Sequence, residues 1–289
     1  MGLFDPRTTG LTRTGGRSID PADVISLLQE VYADGIGTRE EAEELIAFDL
    51  SLSQATPGWT EFFAAGVADH LLRRHAPFDI LDAEKTAWLM GALRKGRHTV
   101  TASGFAVLLR LVESAEDVPP QLAAFAIRQV RSAVLANRRP ASSVRLPINR
   151  TIDSETAALV RRVVLGCAGL AMRAVTREEA EALFDLHDLT ASGANDTDFD
   201  DLFFKAVAHH LIAEAGHDVP SRSMALARLS EFPRGGEQAA PLGPEETAWL
   251  ATRIMRDGRP TAVEFDLLQF FTGQGDAASG AGPFMTRAA

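Results

Sequence analysis

A single cysteine, Cys167, and a single tyrosine occur in 289 residues. One thiol excludes an internal disulfide and a zinc knuckle of paired cysteines, and it fits a reducing compartment. Basic residues are the minority, 29 Lys and Arg against 39 Asp and Glu, for a formal net charge of -10. That balance repels a phosphate backbone and argues against nucleic acid as a partner. No window approaches the roughly 18 apolar residues of a membrane span, and the N-terminal MGLFDPRTTGLTRTGG lacks the apolar core of a signal peptide. The expectation is a cytoplasmic protein with no membrane partner. Gly2 does not open a myristoylation signal, because Pro6 stands where Ser or Thr is required.

Catalytic signatures are missing as well. There is no Walker-type phosphate loop, no Gly-x-Ser-x-Gly elbow and no His-Glu-x-x-His, and Cys167 lies in an apolar stretch, VVLGCAGLAM, where a thiol is inert. A non-enzymatic chain is expected.

What is present is a repeat. TREEAE occurs at Thr38–Glu43 and again at Thr176–Glu181. WTEFFAAGVADHLL and TAWL follow the first copy, FDDLFFKAVAHHLI and TAWL the second. Three blocks recurring in order indicate an internal duplication. His70 to Thr86 spans 16 residues but His210 to Thr247 spans 37, so the second copy carries about 21 extra residues within 218–243. Insertions in repeats map to surface loops, so this one is expected to be dispensable for folding and available to a partner.

Local signals are helical almost throughout. Asp20 with Pro21 starts a helix bearing Val24, Leu27, Leu28 and Val31 at helical spacing. Thr38 with Glu41 and Thr176 with Glu179 have capping-box spacing. Further helices are expected from near Asp82, Thr101, Pro119, Asp153, Thr197, Pro244 and Thr261, and no convincing strand is found. The expected fold is an all-α, internally duplicated helix-turn-helix bundle of about twelve helices. Its divisions are a disordered N-terminus (1–17), a first repeat domain (18–136), a linker rich in Arg, Pro and Ser (137–150), a second repeat domain (151–272) and a disordered tail (273–289). The aromatic positions Phe62, Phe63, Trp88, Phe203, Phe204, Trp249, Phe265, Phe270 and Phe271 fall in apolar helical patterns and are expected in the core.

Four segments, beginning at Val31, Ala92, Leu170 and Ile254, read as variants of one helix-turn-helix. Asp34, Gly35, Thr38 and Glu41, and likewise Asp257, Gly258, Thr261 and Glu264, set an Asp-Gly turn before Thr and Glu. This text resembles the EF-hand calcium loop and the helical domain of tellurite-resistance protein B (TerB). In overall layout it is similar to an uncharacterised class of bacterial tandem-helical proteins. The resemblance implies helical repeats, and from the EF-hand side a calcium site. The ligand positions are degenerate, however. With Asp34 at loop position 5, Tyr32 falls at position 3, and in the Asp257 unit Arg253 and Met255 fall at 1 and 3. Lys95 replaces the Asp in the second unit, and the third keeps only Glu179. The competing reading is that Asp and Gly shape the turn while Thr and Glu cap the next helix.

A separate acidic loop, FDLHDLTASGANDTDFDD, belongs to the second copy only. Asp185, His187, Asp188, Asp196 and Asp198 cluster there without a nearby Lys or Arg in sequence, offering oxygen and imidazole ligands for a divalent metal, calcium or another. A calcium frame from Asp188 places Phe199 at position 12, one residue short of Asp200. Asp196 and Asp198 are equally suited to capping the following helix. His209 and His210 would join His187 in a metal enzyme only if the loop folded back, and the recurrence of His70 as His210 favours a packed histidine instead. Two functional expectations result: a non-enzymatic scaffold for a protein partner, and a divalent-metal-binding protein using 185–201.

Overall fold

A computed structural model describes residues 17–18, 24, 35–140, 150–166, 174–227 and 242–272. Among these residues the chain is all-α, with eleven helices. In the first half they are α1 (Arg39–Ser51), α2 (Pro57–Asp69), α3 (Ala83–Arg94), α4 (Ala102–Ser114) and α5 (Pro120–Leu135). In the second half they are α6 (Ser154–Gly166), α7 (Arg177–Thr190), α8 (Thr197–Glu214), α9 (Arg222–Ala225), α10 (Pro244–Ile254) and α11 (Ala262–Thr272). α2 runs on into a π-helical turn, His70–Arg74. Of the helix expected from Asp20, only Val24 is described, helical and buried. Asp34, Cys167, the tail and most of the linker lie outside the described residues.

The helix starts are where the capping residues place them. Thr38 and Thr176 each complete a capping box with Glu41 and Glu179, and Asp82, Thr101 and Asp196 accept from backbone amides of their first turns. One short pairing has no counterpart in the expectations: β1 (Arg17–Ser18) runs parallel to β2 (Leu52–Gln54). Two or three residues are too few to show alternation in a sequence.

The halves share one core. α5 packs most extensively against α7, and α4 lies along α6. α5 offers Ala123, Ala124 and Ala126, all fully buried, and such small side chains permit a close approach of helix axes. Gly166 shows how close: a Cβ there would lie 2.8 Å from the Val112 carbonyl oxygen on α4. Phe63, Phe203, Phe204 and Phe271 are buried as expected, whereas Phe265 is 52% exposed. Phe265 sits on the outer side of the last described helix, where no further helix among the described residues covers it.

The start of the extra segment in the second half is built into this core. Arg222 is fully buried and forms a two-pronged ion pair with Glu179 at 2.8 and 2.9 Å. It also donates to the carbonyls of Val164 (2.9 Å) and Ala174 (2.7 Å). Lys205 donates to the Ala227 carbonyl at 2.9 Å, and Arg161 to that of Leu226 at 2.5 Å. The expectation of a dispensable surface loop therefore does not hold for 222–227, because Arg222 neutralises the buried Glu179 and the Leu226 and Ala227 carbonyls accept from Arg161 and Lys205, which also pair with Asp201. Residues 228–241 lie outside the described residues.

Candidate metal centre

Both halves carry the same local constellation. His70 Nδ1 lies 3.0 Å from the Ile36 carbonyl, and His210 Nδ1 lies 2.9 Å from that of Val175. Trp88 Nε1 donates to Glu43 at 2.8 Å, and Trp249 Nε1 to Glu181 at 2.5 Å. Arg39 and Arg177 lie over the two indole rings. The recurring histidine is thus a packed, hydrogen-bonded residue, and burial lowers the pKa of both. His209 is fully engaged too. Its Nδ1 accepts from the Val175 amide at 3.3 Å, which puts the proton on Nε2 to donate to the Pro220 carbonyl at 3.0 Å. Neither histidine belongs to a metal-ligating group with His187.

The halves differ one turn further along the helix after the TREEAE box. In α1 that position is Asp49, buried, which accepts from Trp59 Nε1 (2.8 Å) and from Thr101 Oγ1 (2.5 Å) at the start of α4. In α7 the same register holds His187. Its ring stacks on Phe203 at 4.3 Å and 11°, and the side chain is 2% exposed. Its Nδ1 is buried without a hydrogen-bond partner and lies 3.9 Å from Glu264 Oε1.

His187, Asp188 and Glu264 form one group, each offering a ligand atom within 4.8 Å of the others. Glu264 has a divided role. Its Oε2 closes a capping box, accepting from Thr261 N (2.7 Å) and Oγ1 (2.9 Å), so that Oε1 is turned toward His187. Burial pushes the His187 imidazole down to about 4, with Asp257 opposing, so the ring is neutral at pH 7 and able to ligate. Burial raises Asp188 to about 6, reinforced by Glu264 and Asp257 and opposed by Arg253 and Arg256. Glu264 is raised as well, first by burial. The charges that act on Asp188 are the Glu264 and Asp257 carboxylates and the guanidiniums of Arg253 and Arg256.

The five residues singled out in the acidic loop are thus separated. His187 and Asp188 enter the group. Asp185 is held by Arg253 (3.0 Å) and Arg256 (2.6 Å). Asp196 caps α8 by accepting from the Asp198 amide at 2.9 Å, and Asp198 lies in that helix's first turn; neither carboxylate joins the group. In sequence Glu264 reads as part of a degenerate calcium loop or as a helix cap, and not as a partner of His187. Its one sequence signal was the Asp257, Gly258, Thr261, Glu264 pattern, and Gly258 does take the left-handed turn, with φ +70°. One imidazole and two carboxylates fit zinc, manganese or ferrous iron better than calcium, which takes six to eight oxygens. No protein-family model, curated protein or solved structure matches the chain.

Proposed function

We propose that this chain is a non-catalytic helical protein that binds one divalent transition-type ion through His187, Asp188 and Glu264. The observation that supports the reading is the buried His187 Nδ1 with no hydrogen-bond partner, facing two carboxylates. An unsatisfied buried nitrogen costs about 1–3 kcal/mol, and two carboxylates crowded beside it add repulsion; an ion relieves both. The competing account is a static polar contact compensated by Arg253 and Arg256. Titration calorimetry of the metal-stripped chain with Zn2+, Mn2+ and Ca2+ separates them. One equivalent of Zn2+ or Mn2+ is expected to bind, with little response to Ca2+. His187→Ala and Glu264→Gln should abolish binding while leaving the helical circular dichroism unchanged, since a glutamine retains the cap. Silence with all three ions, or undiminished binding in both variants, rejects the reading.

A scaffold role for a protein partner is supported by a different feature. Between α1 and α3 lies an open groove of about 390 Å³, lined by Ile46, Ala87, Trp88, Gly91 and Ala92. The counterpart of Ala92 in the second half is Arg253, which lies 5.1 Å over the Phe184 ring and occupies the equivalent place. An Ala92→Arg variant is expected to lose a partner that co-purifies with the wild-type chain, and equal recovery would sink this second reading.

A further inference from the structure

We propose that the ion acts as a staple, locking the hairpin of α10 and α11 onto α7, so that docking of this hairpin is linked to metal occupancy. The inference rests on the metal reading above and adds what the metal does.

Its first support is where the ligands come from. His187 and Asp188 sit on α7, Glu264 on α11, 76 residues beyond Asp188. An ion held by all three ties the hairpin to the body of the fold. The second support is the set of polar atoms at the seam. Four buried side-chain atoms among the described residues lack a hydrogen-bond partner, and two of them belong to residues of this seam, His187 Nδ1 on α7, 3.9 Å from Glu264 of α11, and Arg253 Nε on α10. Arg253 otherwise reaches Glu181 (3.2 Å) and Asp185 (3.0 Å), and the turn beyond it, Met255–Arg259, is exposed. Apolar anchoring of the hairpin comes from Leu250, Ile254 and Leu267 in the core and from Trp249 against Phe184 and Phe270 against Phe204, so what is left unsatisfied at the seam is polar. A seam with unsatisfied buried polar atoms and an exposed turn belongs to the low-stability end of local unfolding.

The third support is the first half, which solves the same problem without an ion. There the α3–α4 hairpin is fastened to α1 by Thr101 donating to Asp49 at 2.5 Å and by Arg97 donating to the Leu50 carbonyl at 2.5 Å. Asp49 is replaced by His187 in the second half; there Arg253 and Arg256 tie α10 and its turn to Asp185, but among the described residues no hydrogen bond equivalent to that of Thr101 joins α11 to α7. The ion takes the place of that bond, with Glu264 as the hairpin's contribution.

Hydrogen exchange on the full-length chain, with and without Zn2+ or Mn2+, tests the staple. With free ion at about 100 times its Kd, amide exchange in 244–272 is expected to slow by up to ~100-fold, while 83–114 changes little. His187→Ala and Glu264→Gln should both lose the effect. Stoichiometric binding by calorimetry with unchanged exchange in 244–272, or with slowing spread equally over both hairpins, overturns the staple and leaves the metal site standing. Absence of binding in calorimetry overturns both.

Discussion

Replacing Arg222 by methionine tests whether the segment that lengthens the second half is structural. The substitution keeps the aliphatic stem but removes two bonds to Glu179 and the donors to Val164 and Ala174. Glu179 is 1% exposed, so its charge would be left buried with only the Thr176 cap to satisfy it. The carbonyls of Val164 and Ala174 would each lose the donor that Arg222 provides. Removing one member of a buried ion pair costs about 3–5 kcal/mol, and the two orphaned carbonyls argue for the upper half of that range. With a urea m-value of about 3 kcal/mol/M, the unfolding midpoint should fall by roughly 1.5 M. Coupling identifies the cause: Arg222→Met with Glu179→Met should be less destabilised than the sum of the single variants by about 2 kcal/mol or more. Glu41→Gln supplies the control, because the half-buried Glu41 only closes its own box to Gly37 and Thr38 and should cost about 1 kcal/mol or less. A midpoint shift under about 0.5 M for Arg222→Met, or strict additivity in the cycle, would refute the structural role of this segment and restore the dispensable loop.

Asp49→Ala should destabilise the first half by about 3 kcal/mol, since it strands the buried Trp59 N–H and unties Thr101 from α1; a urea midpoint close to wild type would contradict this. Burial lowers the pKa of His70, His209 and His210 below the ordinary 6.5, so the unfolded chain takes up protons that the folded chain refuses. Their contribution to stability is complete above pH 6.5 and is withdrawn as pH falls from there through their folded values. NMR titration of the ring protons should give midpoints below 6.5 for all three, and a midpoint above it for any one contradicts its assigned environment.

Much of the architecture was legible residue by residue because its causes are local. Thr38, Glu41, Thr176 and Glu179 announce their capping boxes within four positions, and Asp82, Thr101 and Asp196 do the same for single caps. Apolar spacing located Phe63, Phe203, Phe204 and Phe271, but it did not single out Phe48, Trp59, Phe105, Phe125, Phe184 or Phe199, which are buried as well. The candidate site was half legible. His187 and Asp188 stood out by composition, but their neighbours in sequence turned elsewhere: Asp185 to Arg253 and Arg256, Asp196 to its own helix end. The absence of nearby cations in the sequence was no guide, because two arginines arrive from a hairpin some 70 residues away.

By itself, then, the sequence determined a helical chain with recurring text blocks at unequal spacing, and the starts of its helices. The tertiary structure alone decided that α5 packs on α7, that Arg222 turns inward to neutralise Glu179, and that Glu264 closes on His187. The physical reason is range. Caps and periodicity act over one helical turn and are written in adjacent letters, whereas burial of a charge or assembly of three ligands depends on which distant helix the hydrophobic core draws alongside.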